Sequence, residues 1–489
     1  MTSSILCRMN QNADLLRKLK TIVGDDYVLT DKEDLIVYEC DAETLDTALP
    51  DIVVLPATTE QVRDVIVVAR EYGISITPRG AGTGLSGGAT TISGGISLVL
   101  SRMTKILSVD PTDSVAVVQV GATNLSVSQA ALPYGLYFAP DPSSQIASTI
   151  GGNVAENAGG PHCLKYGMTT AHVLGLKFVM MDGSIVKIGG KTRDLLSLDL
   201  LGAIVGSEGT LGVATEATLR LIPRAQAVET MLAYFETVES CGQAVSDIVA
   251  EGIIPAAMEM IDNLTLNAVE DYLHMGLNRE AAALLIVELD GPEIGIAVHR
   301  KICEEVVQKN RSIGLTWATD DVHRTKIWKA RKVSFGALGR IRPNGYVLDG
   351  VIPRSKLAQA IKQIHEIGLK HQLIVANVYH AGDGNLHPCI LYHRDNHEEV
   401  NRVVAAGREI LELCVELGGT LSGEHGIGVE KMLEMPLVFN EADLLAMRWL
   451  KESFDPDELA NPAKMIPTPR ACGESGRPLS RHQMMSSTC

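Results

Sequence analysis

The sequence PRGAGTGLSGGA, residues 78–89, holds the densest group of glycines in the chain. Glycines let backbone N–H groups converge on an oxyanion without obstruction by a Cβ atom, and Arg79 adds positive charge. Residues 82–87 also satisfy the GxGxxG pattern of a Rossmann nucleotide site, but a Rossmann loop should open a helix. Residues 88–100 instead contain more glycines, two threonines and then a strand-like run. The stretch therefore predicts a diphosphate-binding loop of another kind, with a dinucleotide Rossmann loop and a plain turn as weaker alternatives.

Two further glycine-rich stretches follow, PDPSSQIASTIGGNVAENAGG at residues 140–160 and GSEGTLGVATE at residues 206–216. Small residues allow a chain to run close along a planar ligand, while hydroxyl and amide groups supply directional hydrogen bonds. The groups of this kind in the first of the two stretches are Ser143, Ser144, Thr149 and Asn153. One glycine loop is a weak signal, but three within about 140 residues indicate one long ligand.

The composition limits the class of protein. The 489 residues are 46% hydrophobic and 21% charged, and the formal net charge is −16. These values exclude a disordered polymer. The acidic balance also argues against nucleic acid as the main partner, because phosphate binding needs clustered Lys and Arg. A local basic pocket for an anion stays open.

The nine cysteines are scattered along the chain without a CxxC pair. Disulfide, zinc-finger and iron–sulfur interpretations therefore lose support, and reduced thiols are expected. The first residues show no signal-peptide pattern, and no run approaches the ~20 apolar residues of a membrane-spanning helix. We expect a cytoplasmic protein, for which a peripheral membrane association stays open.

Periodicity predicts a mixed α/β region that is followed by a second α+β region. An amphipathic helix opens the chain, with apolar residues between positions 15 and 23 on one face. Thr59 is predicted to cap a helix, and Asp182 with Gly183 to form a hairpin turn. The predicted strands are 51–56, 74–77, 96–100, 114–120, 173–181, 184–188, 284–289 and 346–349. The predicted later helices are 237–251, 292–311, 354–371, 396–417 and 441–452.

The second region contains VYHAGDGNLHP, residues 378–388, in which two histidines flank a glycine-rich turn. If the apolar runs on either side pair as a hairpin, both imidazoles can converge on one ion. The later stretch GGTLSGEHGIG, residues 418–428, places an acid beside a base. Two histidines and one carboxylate form a common metal-ligand set that leaves a position open for substrate. Taken alone, the two histidines are more simply interpreted as turn residues bonded to the backbone, and the HExxH spacing of a zinc protease is absent.

A predicted helix carries WKARK at residues 328–332. The basic residues form either a solvated face or a fork for a carboxylate, and the residues alone do not choose between the two.

The three glycine-rich stretches, in this order and with the histidine motifs, resemble the vanillyl-alcohol oxidase family of FAD proteins. The resemblance covers nearly the whole chain and narrows to the branch that holds the flavin-binding chain of glycolate oxidase and the D-lactate dehydrogenases. It implies an α+β protein: a helical segment over residues 1–46, a PCMH-type two-part FAD-binding domain over 47–225, and a ferredoxin-like α+β substrate domain over 226–467. Residues 468–489, rich in Pro, Ser, Gly and Arg, are expected to be a disordered tail.

The resemblance implies that FAD is bound by all three stretches. The implied diphosphate site is Arg79, Gly80, Ala81, Gly82, Thr83, Gly84 and Leu85. The implied isoalloxazine and ribityl site is Pro140, Asp141, Ser143, Ser144, Thr149, Gly152, Asn153, Asn157, Gly159 and Gly160, with Gly212 and Val213 as further contacts. Asn461 begins NPAK, residues 461–464, which resembles an Asn-Pro-Gly-Lys segment that returns to the flavin, with Ala463 in place of the usual glycine. His162 and Cys163 are the nearby candidates for a covalent link, but the branch normally binds FAD without a bond, so noncovalent FAD is predicted.

The same resemblance implies the roles of the histidine motifs. His380, His387 and Glu424 would bind a divalent metal (Zn, Mn or Fe), and His425 would be the base that faces the flavin. Arg331 would grip the substrate carboxylate. The spacing of the ligands does not choose the metal.

The implied reaction is oxidation of a small D-2-hydroxy acid, D-lactate or glycolate, to the 2-oxo acid by hydride transfer to flavin N5. Relatives that act on D-2-hydroxyglutarate use an added lysine in the strand after the arginine, whereas that strand here reads YVLD at residues 346–349. A monocarboxylate is therefore favoured, with D-2-hydroxyglutarate as one alternative and a noncatalytic flavoprotein subunit of an electron-transfer complex as another. Because the chain has no cysteine cluster, a separate acceptor is expected: a quinone, a cytochrome or an iron–sulfur partner subunit. A homodimer and a hetero-oligomer both stay open.

Overall fold

The computed structural model describes residues 2–192 and 198–467, with side chains from residue 13 onward. Contacts divide the chain into two compact units. The first unit contains the described parts of residues 1–158, 168–223 and 425–489, and the second contains residues 159–167 and 224–424. These units are built from separate stretches of the chain: residues 159–167 group with the second unit and residues 425–467 with the first. The predicted domain boundaries, which follow the chain in order, stay a prediction. The predicted tail at 468–489 lies outside the described residues.

The described residues form eighteen strands. They are β1 (Val28–Leu29), β2 (Ile52–Val54), β3 (Ile76–Arg79), β4 (Ile96–Val99), β5 (Ile106–Asp110), β6 (Val115–Gln119), β7 (Leu136–Tyr137), β8 (Val173–Val179), β9 (Ile185–Gly189), β10 (Val213–Arg220), β11 (Ile222–Pro223), β12 (Ala227–Phe235), β13 (Ala257–Asp262), β14 (Ala283–Gly291), β15 (Ser312–Trp317), β16 (Asn344–Val347), β17 (Ile374–His380) and β18 (Asn385–Tyr392).

Fifteen α-helices occur in the same described residues. They are α1 (Thr2–Val23), α2 (Lys32–Leu35), α3 (Thr59–Glu71), α4 (Asn124–Ala131), α5 (Ile150–Glu156), α6 (Cys163–Tyr166), α7 (Leu200–Ile204), α8 (Val238–Ala250), α9 (Asn263–Leu273), α10 (Glu293–Lys309), α11 (Asp321–Lys332), α12 (Ser334–Leu338), α13 (Leu357–Lys370), α14 (His397–Glu416) and α15 (Glu441–Phe454). Between residues 2 and 467, outside the gap at 193–197, none of these helices combines the length and apolar character that a bilayer crossing requires.

The first unit contains two main sheets. One has the strand order β1-β2-β4-β3, with β2, β4 and β3 parallel. The other is antiparallel, in the order β5-β6-β10-β8-β9. Helices α1 and α3 pack on the first sheet because both have an apolar face; their buried residues include Leu15, Leu19, Val62, Val65 and Ile66. The predicted helix begins one residue earlier than expected, because Thr58 rather than Thr59 caps α3 by accepting a hydrogen bond from the backbone N–H of Gln61.

The second unit is built on one antiparallel sheet of seven strands, in the order β15-β12-β14-β13-β17-β18-β16. Helices α9, α11 and α12 cover one face, where their apolar residues share a core with Ile261, Ile286 and Val378 of the sheet. The predicted pairing of the two apolar runs around VYHAGDGNLHP is confirmed, because β17 and β18 form an antiparallel hairpin. This hairpin places both histidines on the face that α11 covers, since His387 pairs with Val378 and side chains alternate along a strand.

Candidate active site

The three glycine-rich stretches meet within the first unit. Gly80 lies against Thr149 of the second stretch, so a Cβ atom at Gly80 would collide with the Thr149 hydroxyl. The third stretch joins the second through backbone hydrogen bonds, from Gly206 N to the Val154 carbonyl at 2.9 Å and from Glu208 N to the Ala155 carbonyl at 2.8 Å. The structure thus brings together loops that are far apart in sequence, as expected if they share one ligand.

Arg79 ends β3 and is only 7% exposed. In the described part of the chain its guanidinium makes one hydrogen bond, to the Ala89 carbonyl at 3.5 Å. Burial lowers the pKa of Arg79, and Asp41 partly opposes that shift. A buried guanidinium with one long hydrogen bond fits an anionic ligand, whose charge would offset the cost of burying the cation. Gly82 lies in the left-handed region at φ +70°, and the absence of a Cβ atom there leaves space for the Arg79 side chain. These residues therefore fit the diphosphate of FAD.

A segment near the end of the chain, residues 459–465, lies beside β3 and hydrogen-bonds to the first glycine-rich loop. Asn461 N donates to the Ile76 carbonyl at 2.7 Å, and Asn461 Nδ2 donates to the carbonyls of Gly88 at 3.0 Å and Glu208 at 2.7 Å. Lys464 Nζ donates to the carbonyls of Gly88 at 2.7 Å and Thr90 at 2.6 Å. Burial lowers the pKa of Lys464 to about 7. Lys464 was not among the predicted site residues, although its place in the NPAK motif was a usable signal.

The remaining predicted FAD residues occupy loops and helix ends. The Thr149 hydroxyl caps α5 by accepting a hydrogen bond from Gly152 N, and Asn153 Oδ1 accepts one from Asn124 Nδ2, so both groups already serve the fold. Asn157 ends α5 in a left-handed conformation. Gly212 and Val213 lie at the start of β10, Pro140, Asp141, Ser143 and Ser144 lie in the loop before α5, and Gly159 and Gly160 belong to the second unit. The individual FAD contacts of these residues stay predictions.

In the second unit, His380, His387 and Glu424 bring three ligand atoms together. Glu424 Oε1 lies 3.1 Å from His380 Nε2 and 3.1 Å from His387 Nε2. Two ligand atoms bound at about 2.0–2.1 Å to one ion are separated by roughly 2.9–3.4 Å, depending on the coordination angle. Both distances fall in this range, so the three residues could hold one divalent ion, and their role as metal ligands stays a prediction.

The hydrogen-bond partners of the two rings support the same interpretation. His380 Nδ1 lies 2.6 Å from Glu259 Oε1, and His387 Nδ1 lies 3.1 Å from the Leu348 carbonyl. Each Nδ1 faces an acceptor, and a proton held on Nδ1 would leave both Nε2 lone pairs directed at the position shared with one carboxylate oxygen. One divalent cation would satisfy all three atoms at once. Burial opposes charge on His380, but Glu259 and Glu424 raise its pKa well above the usual value, which marks the site as one that attracts positive charge.

Asp349 holds the loop that carries Glu424. Its carboxylate is fully buried and accepts hydrogen bonds from Ser422 Oγ at 2.5 Å and from the backbone N of Gly423 at 3.0 Å and of Glu424 at 3.1 Å. Asn385 Nδ2 donates to its other oxygen at 2.9 Å. The ligand loop and the start of β18 are thus fixed by one carboxylate.

Arg331 lies on α11 and is 2% exposed, within the core-facing side of the helix. Its Nε donates to Glu259 Oε2 at 2.6 Å. Burial opposes ionisation of Glu259, but Arg331 and His380 together hold its pKa below the usual value. The predicted carboxylate clamp and the predicted metal ligand therefore share one buried partner. Glu259 and Asp349 were not among the predicted site residues, although an acid between two methionines of an apolar strand, as Glu259 is in AMEMID at residues 257–262, was a usable signal.

The chain passes from the second unit to the first between Glu424 and His425, so His425 is described with the first unit and its role as base stays a prediction. His162 lies in the second unit, where its Nε2 is 3.1 Å from Glu288 Oε1. The prediction of noncovalent FAD is not tested by this contact.

Two family profiles match the chain. A profile described as an FAD binding domain matches residues 50–189, and one described as the C-terminal domain of FAD linked oxidases matches residues 224–465. The glycolate oxidase subunit GlcD of Escherichia coli (strain K12) is 45% identical over 449 residues, which cover 92% of this chain and 90% of that protein. The chain belongs to the FAD-linked oxidases. The predictions of the family, of an FAD-dependent oxidoreductase and of FAD as cofactor are confirmed.

Other comparisons agree with this FAD-linked oxidase assignment. The D-lactate dehydrogenase of Archaeoglobus fulgidus is 34% identical over 417 residues, covering 85% of this chain and 91% of that protein. The crystal structure of p-cresol methylhydroxylase with substrate bound superposes with a TM-score of 0.78 over 93% of this chain and 97% of that chain, at 17% identity. At this identity the likeness shows the fold alone, and it confirms the predicted PCMH-type α+β architecture.

Proposed function

We propose that this FAD-linked oxidase is a dehydrogenase that converts a small 2-hydroxy acid, D-lactate or glycolate, to its 2-oxo acid. The observation that carries the proposal is the continuous hydrogen-bonded link Arg331–Glu259–His380 in the second unit, which joins a buried guanidinium to one of the three residues proposed to bind a metal. A 2-hydroxy acid presents a carboxylate and a hydroxyl on neighbouring carbons, and this pair of groups matches the two features. The printed names of the relatives, a glycolate oxidase subunit and a D-lactate dehydrogenase, agree with this substrate class.

Arg331 would bind the substrate carboxylate. Its Nε edge is occupied by Glu259, so the two terminal nitrogens form the edge that a carboxylate can approach bidentately. Because the guanidinium is buried and cannot lose its proton, it offers a fixed positive charge in a region where electrostatic interactions are weakly screened. This arrangement orients the substrate carboxylate.

His380, His387 and Glu424 would hold a divalent metal, which when bound polarises the 2-hydroxyl and lowers its pKa. His425, which follows Glu424 in the chain, would accept the hydroxyl proton as a general base. The chemistry that bound FAD would supply is acceptance of a hydride from C2 of the substrate. The residues of the chain thus orient the substrate and take up its proton, while the redox chemistry belongs to the cofactor.

The charge near the clamp favours a monocarboxylate. Strand β16 follows α11, which carries Arg331, and α12. Its residues are Asn344, Gly345, Tyr346 and Val347, so the strand has no cationic side chain for a second carboxylate. Asp349, just beyond it, is a carboxylate whose oxygens are committed to the Glu424 loop. D-2-hydroxyglutarate would bring a second negative charge toward these groups, so it is the weaker candidate.

Electrons from the reduced cofactor would pass to a separate acceptor, which we propose to be a quinone, a cytochrome or an iron–sulfur partner subunit. The relatives named as glycolate oxidase subunits favour a hetero-oligomer. A noncatalytic subunit is disfavoured, because such a role would not require a buried Arg, two histidines and two carboxylates in one hydrogen-bonded group.

An anaerobic flavin-reduction screen tests the proposal. The FAD-loaded protein is mixed with D-lactate, L-lactate, glycolate and D-2-hydroxyglutarate, with and without a chelator, and flavin absorbance is followed. We expect D-lactate or glycolate to bleach the flavin fastest and the chelator to slow that reaction. Faster bleaching by D-2-hydroxyglutarate would overturn the monocarboxylate assignment, and an intact flavin that none of the four acids reduces would favour the noncatalytic subunit.

A further inference from the structure

The carboxylate of Glu259 serves two different groups at once. Its Oε1 lies 2.6 Å from His380 Nδ1, its Oε2 accepts a hydrogen bond of 2.6 Å from Arg331 Nε, and the side chain has no exposed surface. We propose that Glu259 is a positioning residue that couples the two halves of substrate binding, the metal group and the carboxylate clamp. This inference rests on the proposed function. It assigns Glu259 the task of orienting both His380 and Arg331.

The backbone fixes Glu259 beside His380. Glu259 on β13 is the direct partner of His380 on β17, so the two side chains lie on the same face of the sheet. Helix α11 packs on this face, and its buried Arg331 contacts Glu259 from the helix side. The carboxylate therefore lies between β13 and α11, where it reaches both the proposed metal ligand His380 and the proposed clamp Arg331.

Stability alone does not explain this arrangement. Removing a carboxylate and a guanidinium from water is costly, and well-packed apolar residues of similar volume often stabilise a core as well as a buried ion pair does. The flanking residues Met258 and Met260 show that β13 is otherwise apolar at this point. An ionised group kept in such a strand, with both oxygens in short hydrogen bonds, indicates a role in organising the site.

Only a carboxylate meets both demands. As an acceptor toward His380 it keeps the proton on Nδ1, so that Nε2 presents a lone pair to a metal ion. As an acceptor toward Arg331 it fixes the plane of the guanidinium and leaves the terminal nitrogens to the substrate. A carboxamide of the same shape has one acceptor and one donor, so its NH₂ group would face either the Arg331 Nε–H or the His380 Nδ1–H.

The chain offers a matched control in Glu288 on the neighbouring strand β14. Glu288 lies on the same sheet face, is also buried, and accepts hydrogen bonds from Trp328 on α11 at 2.5 Å and from Thr230 at 2.8 Å, while a histidine, His162, lies 3.1 Å away. It differs from Glu259 in that its histidine is not among the three ligand residues. Glu288→Gln therefore imposes a similar structural loss without touching the metal group.

The first test measures metal binding. The FAD-loaded wild type, Glu259→Gln and Glu288→Gln are stripped of metal, and Zn²⁺ is titrated in competition with a chromogenic chelator. We expect Glu259→Gln to weaken Zn²⁺ binding by about 10–100-fold, the usual effect of losing the partner of a ligating histidine. Glu288→Gln should stay within about twofold of the wild type, because its histidine is no ligand. Equal Zn²⁺ affinities in the two variants would overturn the proposal.

The second test isolates the clamp. Propionate has the carboxylate of the substrate but no 2-hydroxyl, so its binding to the metal-stripped, FAD-loaded protein reports on Arg331. We expect calorimetry to show binding weakened roughly tenfold in Glu259→Gln, which corresponds to one charge-assisted hydrogen bond. Unchanged propionate binding would show that Glu259 serves the metal group only, and the coupling would then be wrong.

The two tests also separate this inference from the proposed function. A wild type that binds neither Zn²⁺ nor propionate would contradict both. A wild type that binds both ligands, with Glu259→Gln indistinguishable from Glu288→Gln, would contradict the inference alone. If Glu259→Gln does not accumulate as a folded flavoprotein, Glu259→Asp replaces it: the shorter carboxylate keeps the charge but cannot span both partners, and the same losses are expected.

Discussion

Replacing Asp349 by alanine tests how the metal-ligand loop is held. The Asp349 carboxylate accepts from three donors, Ser422 Oγ and the backbone N–H groups of Gly423 and Glu424, and all three bonds are lost in this variant. Gly423 N keeps a second acceptor, the backbone carbonyl oxygen of residue 349 at 2.9 Å. Asn385 Nδ2 keeps a second acceptor, the carbonyl oxygen of residue 349 at 3.3 Å. The loss of a buried hydrogen bond costs about 1–3 kcal/mol, and the two bonds from Ser422 Oγ and Glu424 N give a destabilisation of roughly 2–4 kcal/mol, because water entering the space left by the side chain relieves part of the cost.

The same variant should lose metal affinity, since two of the three donors flank the Glu424 side chain. We expect Asp349→Ala to weaken Zn²⁺ binding by about 10–100-fold, measured by chelator competition, and to lower the midpoint of thermal unfolding. Asp349→Asn should fall between the alanine variant and the wild type. Its amide oxygen can keep the three loop donors, and Asn385 can turn its own amide to accept from the new NH₂ group.

Asp262→Ala is the control for a general loss of stability. Asp262 is the last residue of β13 in the sheet of the second unit. It accepts hydrogen bonds from Thr265 N at 2.8 Å and from Asn377 N at 2.8 Å, and neither donor belongs to the loop of Ser422, Gly423 and Glu424. This variant should also unfold at lower temperature but bind Zn²⁺ within about twofold of the wild type. Normal Zn²⁺ binding by Asp349→Ala, or an equal loss of affinity in Asp262→Ala, would refute the role of Asp349 in holding the Glu424 loop.

Three further predictions concern the base, a strained turn and the FAD loop. His425→Ala should retain FAD but slow anaerobic flavin reduction by roughly 10²–10⁴-fold, and undiminished reduction would contradict its role as base. Ala463 is held at φ +61°, so Ala463→Gly should stabilise the protein by about 1 kcal/mol, a gain that an unchanged or lower unfolding temperature would contradict. Gly82→Ala should reduce the FAD content of the purified protein, because φ is +70° and the new Cβ would lie 2.7 Å from the guanidinium carbon of Arg79; full FAD occupancy by absorbance would show that the loop tolerates the change.

Much of the site was predictable because its parts are local. The glycines of residues 78–89 reveal a loop that needs close backbone approach, and the hairpin of β17 and β18 follows from two apolar runs around a glycine turn. The absence of a helix after the first glycine loop, which argued against a Rossmann site, is confirmed, since β3 is followed by the loop and then by its parallel neighbour β4. The misplaced cap of α3 shows the usual limit at helix ends, where Thr58 and Thr59 are equally good candidates by residue type.

By itself the sequence determined the chemical types at the site: glycine-rich loops, two histidines around one glycine turn, an acid beside a base, and an arginine on a helix. These features depend on residues within a few positions of one another, which spacing and periodicity describe. Only the tertiary structure decided which groups complete them. Glu259 lies 121 residues before His380 and 72 before Arg331, and Lys464 lies 376 residues after Gly88. Such partners are chosen by strand order and by the docking of α11 and the terminal segment, where a buried charge is stable only if the fold brings its counterpart to it.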